Sequence, residues 1–392
     1  MTLEIFGIQL NVWGMYCAIG ALCAFAAIAI ICAWRGMKKG SASVLGLCSV
    51  VLGIICSRFL YCLVESLTKV RMPFSAWINV SEGGWSLFGM IGGVLLAALI
   101  SAKIMREKTP RMLDAVSIGL PLFIAAERMG EESLQRFFNE TEEVFNLSRK
   151  VNSGGFLTVV NSGNNYLATY RIDAVLAMVL FLVLAFSLLK KNRRDGDLAI
   201  LFFLLCGSGG VLAESLRYDH FLEYSFVRIQ QVLAALLLLA GVIAAGSQSR
   251  KKYREYYTAM ILTMVFTVAE CIGYEFVLDR SEAVHSTVYF MLICALSIPV
   301  IQGITMVNAG NDGRMEIVRG RLSASGGASL SISAAVVLSV TLEMGRIHYN
   351  DQFMIMAVGS AVAVLLIQSY TSIRMKTIIG PQENSGKENR DS

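Results

Sequence analysis

Arginines and carboxylates occur where several apolar stretches of this sequence end. Arg58 lies in CSRFLY, Arg128 in AAERMGEE and Glu214 in AESLRYDH, and each is on the apolar side of a loop. A charged side chain inside a membrane costs roughly 3 kcal/mol or more, so residues at such positions indicate a function. Because arginine binds phosphate oxygens through two parallel hydrogen bonds, we expect a polar cavity that recognises the headgroup of an anionic phospholipid.

A second interpretation is that these residues are anchors at the membrane surface. Trp and Tyr favour the headgroup region, and arginine side chains reach towards it from within an apolar span. This interpretation suits Trp13 and Tyr16, which lie at the start of the first apolar stretch. It suits Arg58, Arg128 and Glu214 less well, and for them both interpretations stay open.

The composition is that of an integral membrane protein. Of 392 residues, 55% are apolar and only 16% are charged, so the chain cannot present a water-soluble surface. No lysine or arginine precedes the long first apolar stretch, and we therefore expect this segment to be retained and not cleaved as a signal peptide. Basic loops on one side of a membrane explain the net charge of +5, so we expect no nucleic acid partner.

Eleven stretches are long and apolar enough to cross a hydrocarbon core, which takes about 20 residues of helix. The sequence therefore predicts an all-α, polytopic transmembrane helical bundle. The stretches are residues 12–34, 42–66, 84–105, 112–130, 171–189, 197–217, 228–247, 256–278, 284–308, 327–346 and 352–373.

The loops predict an orientation and a division into domains. Basic clusters such as WRGMKKG and KKNRRD fall on every second connection, which places the N-terminus outside and the C-terminus inside. The long outer loop, 131–170, is expected to form a small extracytoplasmic head. A basic linker near 249–257 separates a seven-helix domain, 1–250, from a four-helix domain, 251–376. The polar tail, 377–392, is expected to be disordered in the cytoplasm.

Six short motifs, taken in order, resemble the prolipoprotein diacylglyceryl transferase family. They cover about residues 10–247 and read NVWGMYCAIG, CSRFLYCL, EGGWSLFGMIGG, DAVSIGLPLFIAAERMGE, GDLAILFFLLCGSGGVLAESLRYD and RIQQVLAALLLLAGVI. Enzymes of this family move the diacylglyceryl group of phosphatidylglycerol onto the thiol of a lipobox cysteine and release glycerol phosphate. The resemblance implies the same scaffold here, in a bacterial inner membrane, with phosphatidylglycerol and lipobox-bearing prolipoproteins as partners and without a metal or other cofactor.

The matched family positions, taken together with the polar residues at the outer ends of the apolar stretches, predict roles for residues of this chain. The expected catalytic residues are Arg128, Glu214 and Glu131. The expected substrate-binding residues are Arg58, Tyr61, Trp13, Tyr16, Ser86, Gly89, Arg217 and Gln231.

The chain departs from the family pattern at three polar positions. Phe88 stands where the family has His, Glu131 where it has Asn, and Gly210 where it has an Arg four residues before the matched Glu. A phenylalanine cannot accept a proton, so a base must come from elsewhere, and His220 and Glu131 are the available substitutes. Glu131 is alternatively the ion-pair partner of Arg128.

These departures leave two functions open. The first is a divergent diacylglyceryl transferase. The second is a catalytically inactive protein that binds anionic phospholipid on the same scaffold, since binding needs arginines and a groove but no base. A third hypothesis, transport, depends on Glu270 in the last four helices, where we expect instead an interhelical hydrogen bond.

Overall fold

The computed structural model describes residues 2–5, 8–68, 72–79, 84–134, 147–151, 154–161, 164–189, 193–217, 222–224, 227–247, 254–279, 286–311, 315–344 and 352–379. The chain divides into two compact units, Met1–Leu237 and Leu238–Ser392. Each unit is helical, and the boundary between them falls inside one helix, α8.

The described part of the chain contains eleven long α-helices and one short one. In order they are α1 (Val12–Trp34), α2 (Ser41–Thr68), the short α3 (Phe74–Ile78), α4 (Leu87–Met105), α5 (Thr109–Gly130), α6 (Thr169–Leu188), α7 (Asp197–Leu216), α8 (Ile229–Ser247), α9 (Arg254–Asp279), α10 (Ser286–Asn311), α11 (Met315–Met344) and α12 (Gln352–Ile379).

Each long helix coincides with one apolar stretch of the sequence, so the protein is an all-α polytopic membrane protein. Among the described residues, nine helices are long and apolar enough to span a bilayer. The apolar part of α12 is shorter, Ile355–Thr371. The other exception is α5, which carries Arg111, Asp114, Glu127 and Arg128.

The charged helix α5 lies at the centre of the first unit. It packs against α1, α4, α6 and α7, and most of its residues are buried. Charged side chains are tolerated at membrane depth when they face neighbouring helices and pair with one another. The surrounding helices therefore allow α5 to hold ionisable groups at both of its ends.

At the first end of α5, Asp114 joins three segments. Its carboxylate accepts hydrogen bonds from Arg35 at 2.5 Å and from the backbone N–H groups of Gly196 and Ala199 at 2.8 and 2.9 Å. The last two contacts satisfy donors at the start of α7, where the positive end of the helix dipole favours a carboxylate. Asp114 therefore sets the position of α7 beside α5.

Short antiparallel strands lie outside the helices. β1 (Thr2–Ile5) pairs with β2 (Ile8–Asn11), a hairpin that the sequence analysis did not predict. β3 (Leu147–Val151), β4 (Thr158–Asn161) and β5 (Asn164–Ala168) form a sheet in the order β3-β5-β4 within the expected head. β6 (Glu223–Tyr224) pairs with β7 (Val227–Arg228) before α8.

Arg171 connects the head to the helical unit. Its guanidinium donates to the carbonyl oxygens of Phe156 and Thr158 at 2.7 and 3.3 Å and to Glu132 at 2.9 Å. Since Glu132 lies in the 3-10 helix that follows α5, one arginine holds the head against the end of α5.

In the second unit, polar side chains pair inside the helix bundle. Gln302 on α10 donates to Gln368 on α12 at 3.1 Å, and Gln368 donates to Thr263 on α9 at 2.9 Å. Glu270 is buried and accepts a hydrogen bond of 2.6 Å from Tyr274. Both residues belong to α9, so this bond is within one helix and not between helices as expected from the sequence.

Candidate functional site

Arg128 is buried at the end of α5 and lies among three carboxylates. It donates to Glu131 in the 3-10 helix, and its Nε lies 3.6 Å from Glu127 and 3.5 Å from Asp173 at the start of α6. Only 5% of the residue is exposed. A guanidinium at this depth is retained because these carboxylates offset the cost of removing it from water.

A second buried pair completes this group. Arg217, the residue after α7, lies 3.3 Å from Glu214 in the last turn of that helix. Asp173 interacts electrostatically with Arg217 and Glu214 as well as with Arg128. We call Glu127, Arg128, Glu131, Asp173, Glu214 and Arg217 the arginine cluster. Its four carboxylates outnumber its two guanidiniums, so it holds more proton acceptors than its own ion pairs require.

Sequence analysis missed Asp173. The residue lies three positions into the stretch 171–189, and an aspartate inside an otherwise apolar span is itself a signal of function. Glu127, which directly precedes Arg128 in the stretch AAERMGEE, was given no role from the sequence. His220, the other proposed base, lies outside the described residues.

A large cavity opens beside the arginine cluster. Its volume is about 1230 Å³, and α1, α2, α4 and α5 supply most of its walls. The wall is apolar over most of its length. Polar groups from the predicted site line one part of it, namely Trp13, Ser86, Arg128, Glu131 and Arg217.

Four other predicted residues do not line this cavity but have defined neighbours in the described part of the chain. Glu214 pairs with Arg217, and Gln231 donates to the Val211 carbonyl oxygen at 3.4 Å. Tyr16 is partly exposed and packs on Gly130, where an added Cβ would lie 2.7 Å from the Tyr16 Cβ. Gly89 approaches α2 closely, since an added Cβ would lie 2.7 Å from the Cys56 carbonyl oxygen.

Arg58 and Tyr61 organise the segment that leads into α4. The Arg58 guanidinium donates to the carbonyl oxygens of Gly84 at 3.0 Å and Ala76 at 2.5 Å, and it lies 5.6 Å from the centre of the Tyr61 ring. Gly84 has a φ of +80° and packs on that ring. Gly84 itself lines the cavity, so Arg58 shapes the wall through the backbone that it holds.

Two serines fix the start of α4. Ser57 donates to the Ser86 carbonyl oxygen at 2.8 Å, and the Ser86 N–H donates back to the Ser57 carbonyl oxygen at 3.3 Å. The Ser86 hydroxyl accepts from the Gly89 N–H at 3.2 Å and so caps the helix. The first turn of α4 is thereby held against α2.

Two of the three positions that depart from the family pattern are in contact. Phe88 is buried, and an added Cβ at Gly210 would lie 2.7 Å from the Phe88 Cζ and 2.9 Å from the Ala234 Cβ. The phenyl ring therefore occupies the space that a side chain at position 210 would need. An apolar contact between α4, α7 and α8 stands where the family has two polar side chains.

Comparisons with known proteins show which family the first part of the chain resembles. A profile of the family described as prolipoprotein diacylglyceryl transferase matches residues 1–246. A phosphatidylglycerol–prolipoprotein diacylglyceryl transferase of Clostridioides difficile (strain 630) is 26% identical over 253 residues, which are 64% of this chain and 96% of that protein. Enzymes with the same name from Bacillus cytotoxicus and Thermotoga maritima are 27% and 25% identical, over 56% and 52% of this chain and 83% and 70% of their own lengths. The first 246 residues of this membrane protein thus identify it as a member of the prolipoprotein diacylglyceryl transferase family.

Proposed function

We propose that this chain transfers the diacylglyceryl group of phosphatidylglycerol to the thiol of a lipobox cysteine in lipoprotein maturation. The observation that carries the proposal is a large, mostly apolar cavity whose polar wall contains Arg128, Glu131 and Arg217. An apolar cavity accepts acyl chains, and buried arginines bind the phosphate oxygens of the headgroup. Family membership supports the same substrates.

In the proposed reaction, the phosphate of the lipid binds Arg128 and takes the place of Glu131. The released Glu131 carboxylate accepts the proton of the cysteine thiol. The sulfur then attacks the glyceryl carbon that carries the phosphate, the C–S bond forms and the C–O bond breaks. Glycerol phosphate leaves with the bonding electrons, and Arg128 and Arg217 stabilise the charge that develops on its oxygen.

The remaining predicted residues have supporting roles in this scheme. Glu214 orients Arg217. Ser86, Gly89, Arg58 and Tyr61 shape the wall at the start of α4, while Trp13 lies beside Glu127. The scheme places the arginine cluster at the outer face of a bacterial inner membrane, with eleven spans, the N-terminus outside and the C-terminus inside.

Complementation of a bacterium depleted of its own transferase tests the proposal. We expect the wild-type chain to restore lipid-modified proteins and Arg128→Ala to lose this ability. Arg111→Ala is the matched control, because Arg111 is an arginine of the same helix that pairs with Asp195 at 3.0 Å away from the cluster. Failure of the inserted wild-type chain, or equal activity of both variants, would contradict transfer at this site.

The contact between Phe88 and Gly210 favours a second candidate function. Because these positions carry no polar group, the chain could hold phosphatidylglycerol without transferring its diacylglyceryl group. The two functions differ in one result. A chain that inserts and retains phosphatidylglycerol through Arg128, yet restores no lipid-modified protein, has the second function.

A further inference from the structure

The apolar part of the cavity is a groove between α1 and α2. Ala21 and Phe25 on α1 and Gly46, Val50 and Gly53 on α2 line it. Small side chains on both helices leave room between them for a ligand. Ser57 and Ser86 line the same cavity as Arg128 and Glu131, and the lining continues along both helices to Ile28 and Ser43.

The depth of the groove matches one leaflet of a bilayer. From Ser57 to Gly46 the lining follows eleven residues of α2, which rise about 16 Å. Half of a hydrocarbon core is about 15 Å thick. A lipid with its headgroup at the arginine cluster would therefore have the ends of its acyl chains near Gly46.

An aromatic ring lies at that depth. Phe25 packs directly on Gly46, because an added Cβ at position 46 would lie 2.7 Å from its Cδ2 and 3.0 Å from its Cε2. The lining ends one turn further along the helices, at Ile28 and Ser43. The ring thus takes up space in the last part of the groove, and the missing side chain at Gly46 permits its position.

We propose that Phe25, seated on Gly46, is an end stop that sets the acyl-chain length of the bound phospholipid. The inference rests on the proposed function, since it requires a lipid headgroup at the arginine cluster. It adds a specificity determinant twelve residues along α1 from Trp13, which lines the polar part of the cavity.

Lipid retention by the purified full-length chain in detergent tests the end stop. The probes are phosphatidylglycerols with two lauroyl, myristoyl, palmitoyl, stearoyl or arachidoyl chains, measured by native mass spectrometry. We expect Phe25→Ala to shift the preferred length to longer chains and Gly46→Leu to shift it to shorter ones. The ratio of stearoyl to lauroyl lipid retained should change by about fivefold or more, the factor that overpacking by one side chain produces.

Gly92→Leu is the matched control, because it makes the same substitution at an exposed glycine with nothing within 4 Å of an added Cβ. It should leave the length profile unchanged. A second measurement does not depend on the folding of any variant. Phosphatidylglycerol with a diazirine at the acyl terminus should label the wild-type chain at peptides that contain Phe25 or Gly46.

Failure of the end stop and failure of the proposed function give different results. If Phe25→Ala keeps the wild-type length profile, or the diazirine labels other helices, the end stop is wrong. If the wild type retains phosphatidylcholine as well as it retains phosphatidylglycerol, and Arg128→Ala changes neither, the headgroup site itself is wrong and the end stop falls with it.

Discussion

At the scale of single residues, four carboxylates surround two arginines, and this excess makes a carboxylate available to accept the proton of the thiol. Arg128 is paired before any lipid arrives, so a phosphate must compete with Glu131 for it. That competition links lipid binding to the release of a proton acceptor. Glu131 lines the cavity while Glu214 lies behind Arg217, which is why we assign the proton to Glu131.

Glu131→Gln tests this assignment. The amide still accepts a hydrogen bond from Arg128 but cannot take a proton, so we expect the transfer rate to fall by about 10²–10⁴ while phosphatidylglycerol stays bound. Glu132→Gln is the neighbouring control, since that side chain is half exposed and pairs with Arg171. A transfer rate that is equal in the two variants would remove Glu131 as the base.

The contact between Phe88 and Gly210 gives a second prediction at this scale. Gly210→Arg should destabilise the chain by about 1–3 kcal/mol, because the new side chain meets the phenyl ring. Adding Phe88→Ala removes the ring, so the double variant should be less destabilised than the sum of the two single variants. Thermal unfolding in detergent measures the stability of the two single variants and of the double variant. Additive losses would show that the positions are independent.

At the scale of secondary-structure elements, α5 connects the two polar regions of the first unit. One end holds Asp114 with the start of α7, and the other holds Arg128 with the start of α6. α5 thus joins the first residues of α7 to the first residues of α6. The arginine cluster therefore depends on contacts far from it in the same unit.

Asp114→Ala should show this dependence. The substitution removes the nearer carboxylate of Arg35, which keeps Asp195 at 3.7 Å. It also leaves the first N–H groups of α7 without their acceptor, which we expect to cost about 1–3 kcal/mol for each buried donor left unpaired. Thermal unfolding in detergent measures this loss of stability. Preference for phosphatidylglycerol over phosphatidylcholine should remain in the folded fraction at low temperature, and loss of that preference in folded protein would mean that Asp114 acts on the site directly.

The sequence predicted the helices much better than it predicted the contacts between side chains on different helices. Long apolar stretches and short loops define helices wherever they occur, so each predicted span corresponds to a helix. The contact of Phe88 with Gly210 joins α4 to α7, and the carbonyl partners of Arg58 lie on a segment with a positive φ at Gly84. Such contacts depend on how helices pack, and no local pattern encodes them. Asp173 was the exception, because its place inside an apolar span was visible in the sequence.

At the scale of the whole molecule, the family match and the added helices separate along the chain. The family match ends at residue 246, and the alignment with the Clostridioides difficile relative covers 96% of that protein but 64% of this chain. The paired glutamines and Glu270 lie after residue 246 and so outside the family match. We propose that the helices after residue 246 are not required for the transfer step.

A chain shortened to residues 1–250 tests this separation. It keeps α8 complete, and we expect a transfer rate within about fivefold of the full chain, since every residue of the proposed mechanism precedes the cut. Membrane insertion of the shortened chain, checked by protease protection, is the control. Complete loss of transfer in an inserted, folded chain would mean that the last four helices contribute to the reaction.

The central claim is that the arginine cluster holds phosphatidylglycerol for transfer, and the most direct measurement is transfer by the purified chain. Phosphatidylglycerol labelled in its diacylglyceryl group is incubated with a lipobox peptide, and the thioether product and the released glycerol phosphate are both measured. We predict equal amounts of the two products with the wild type and with Arg111→Ala, and neither product with Arg128→Ala. Product formation by Arg128→Ala at the wild-type rate, or no product from a folded wild type that retains the lipid, would contradict the account.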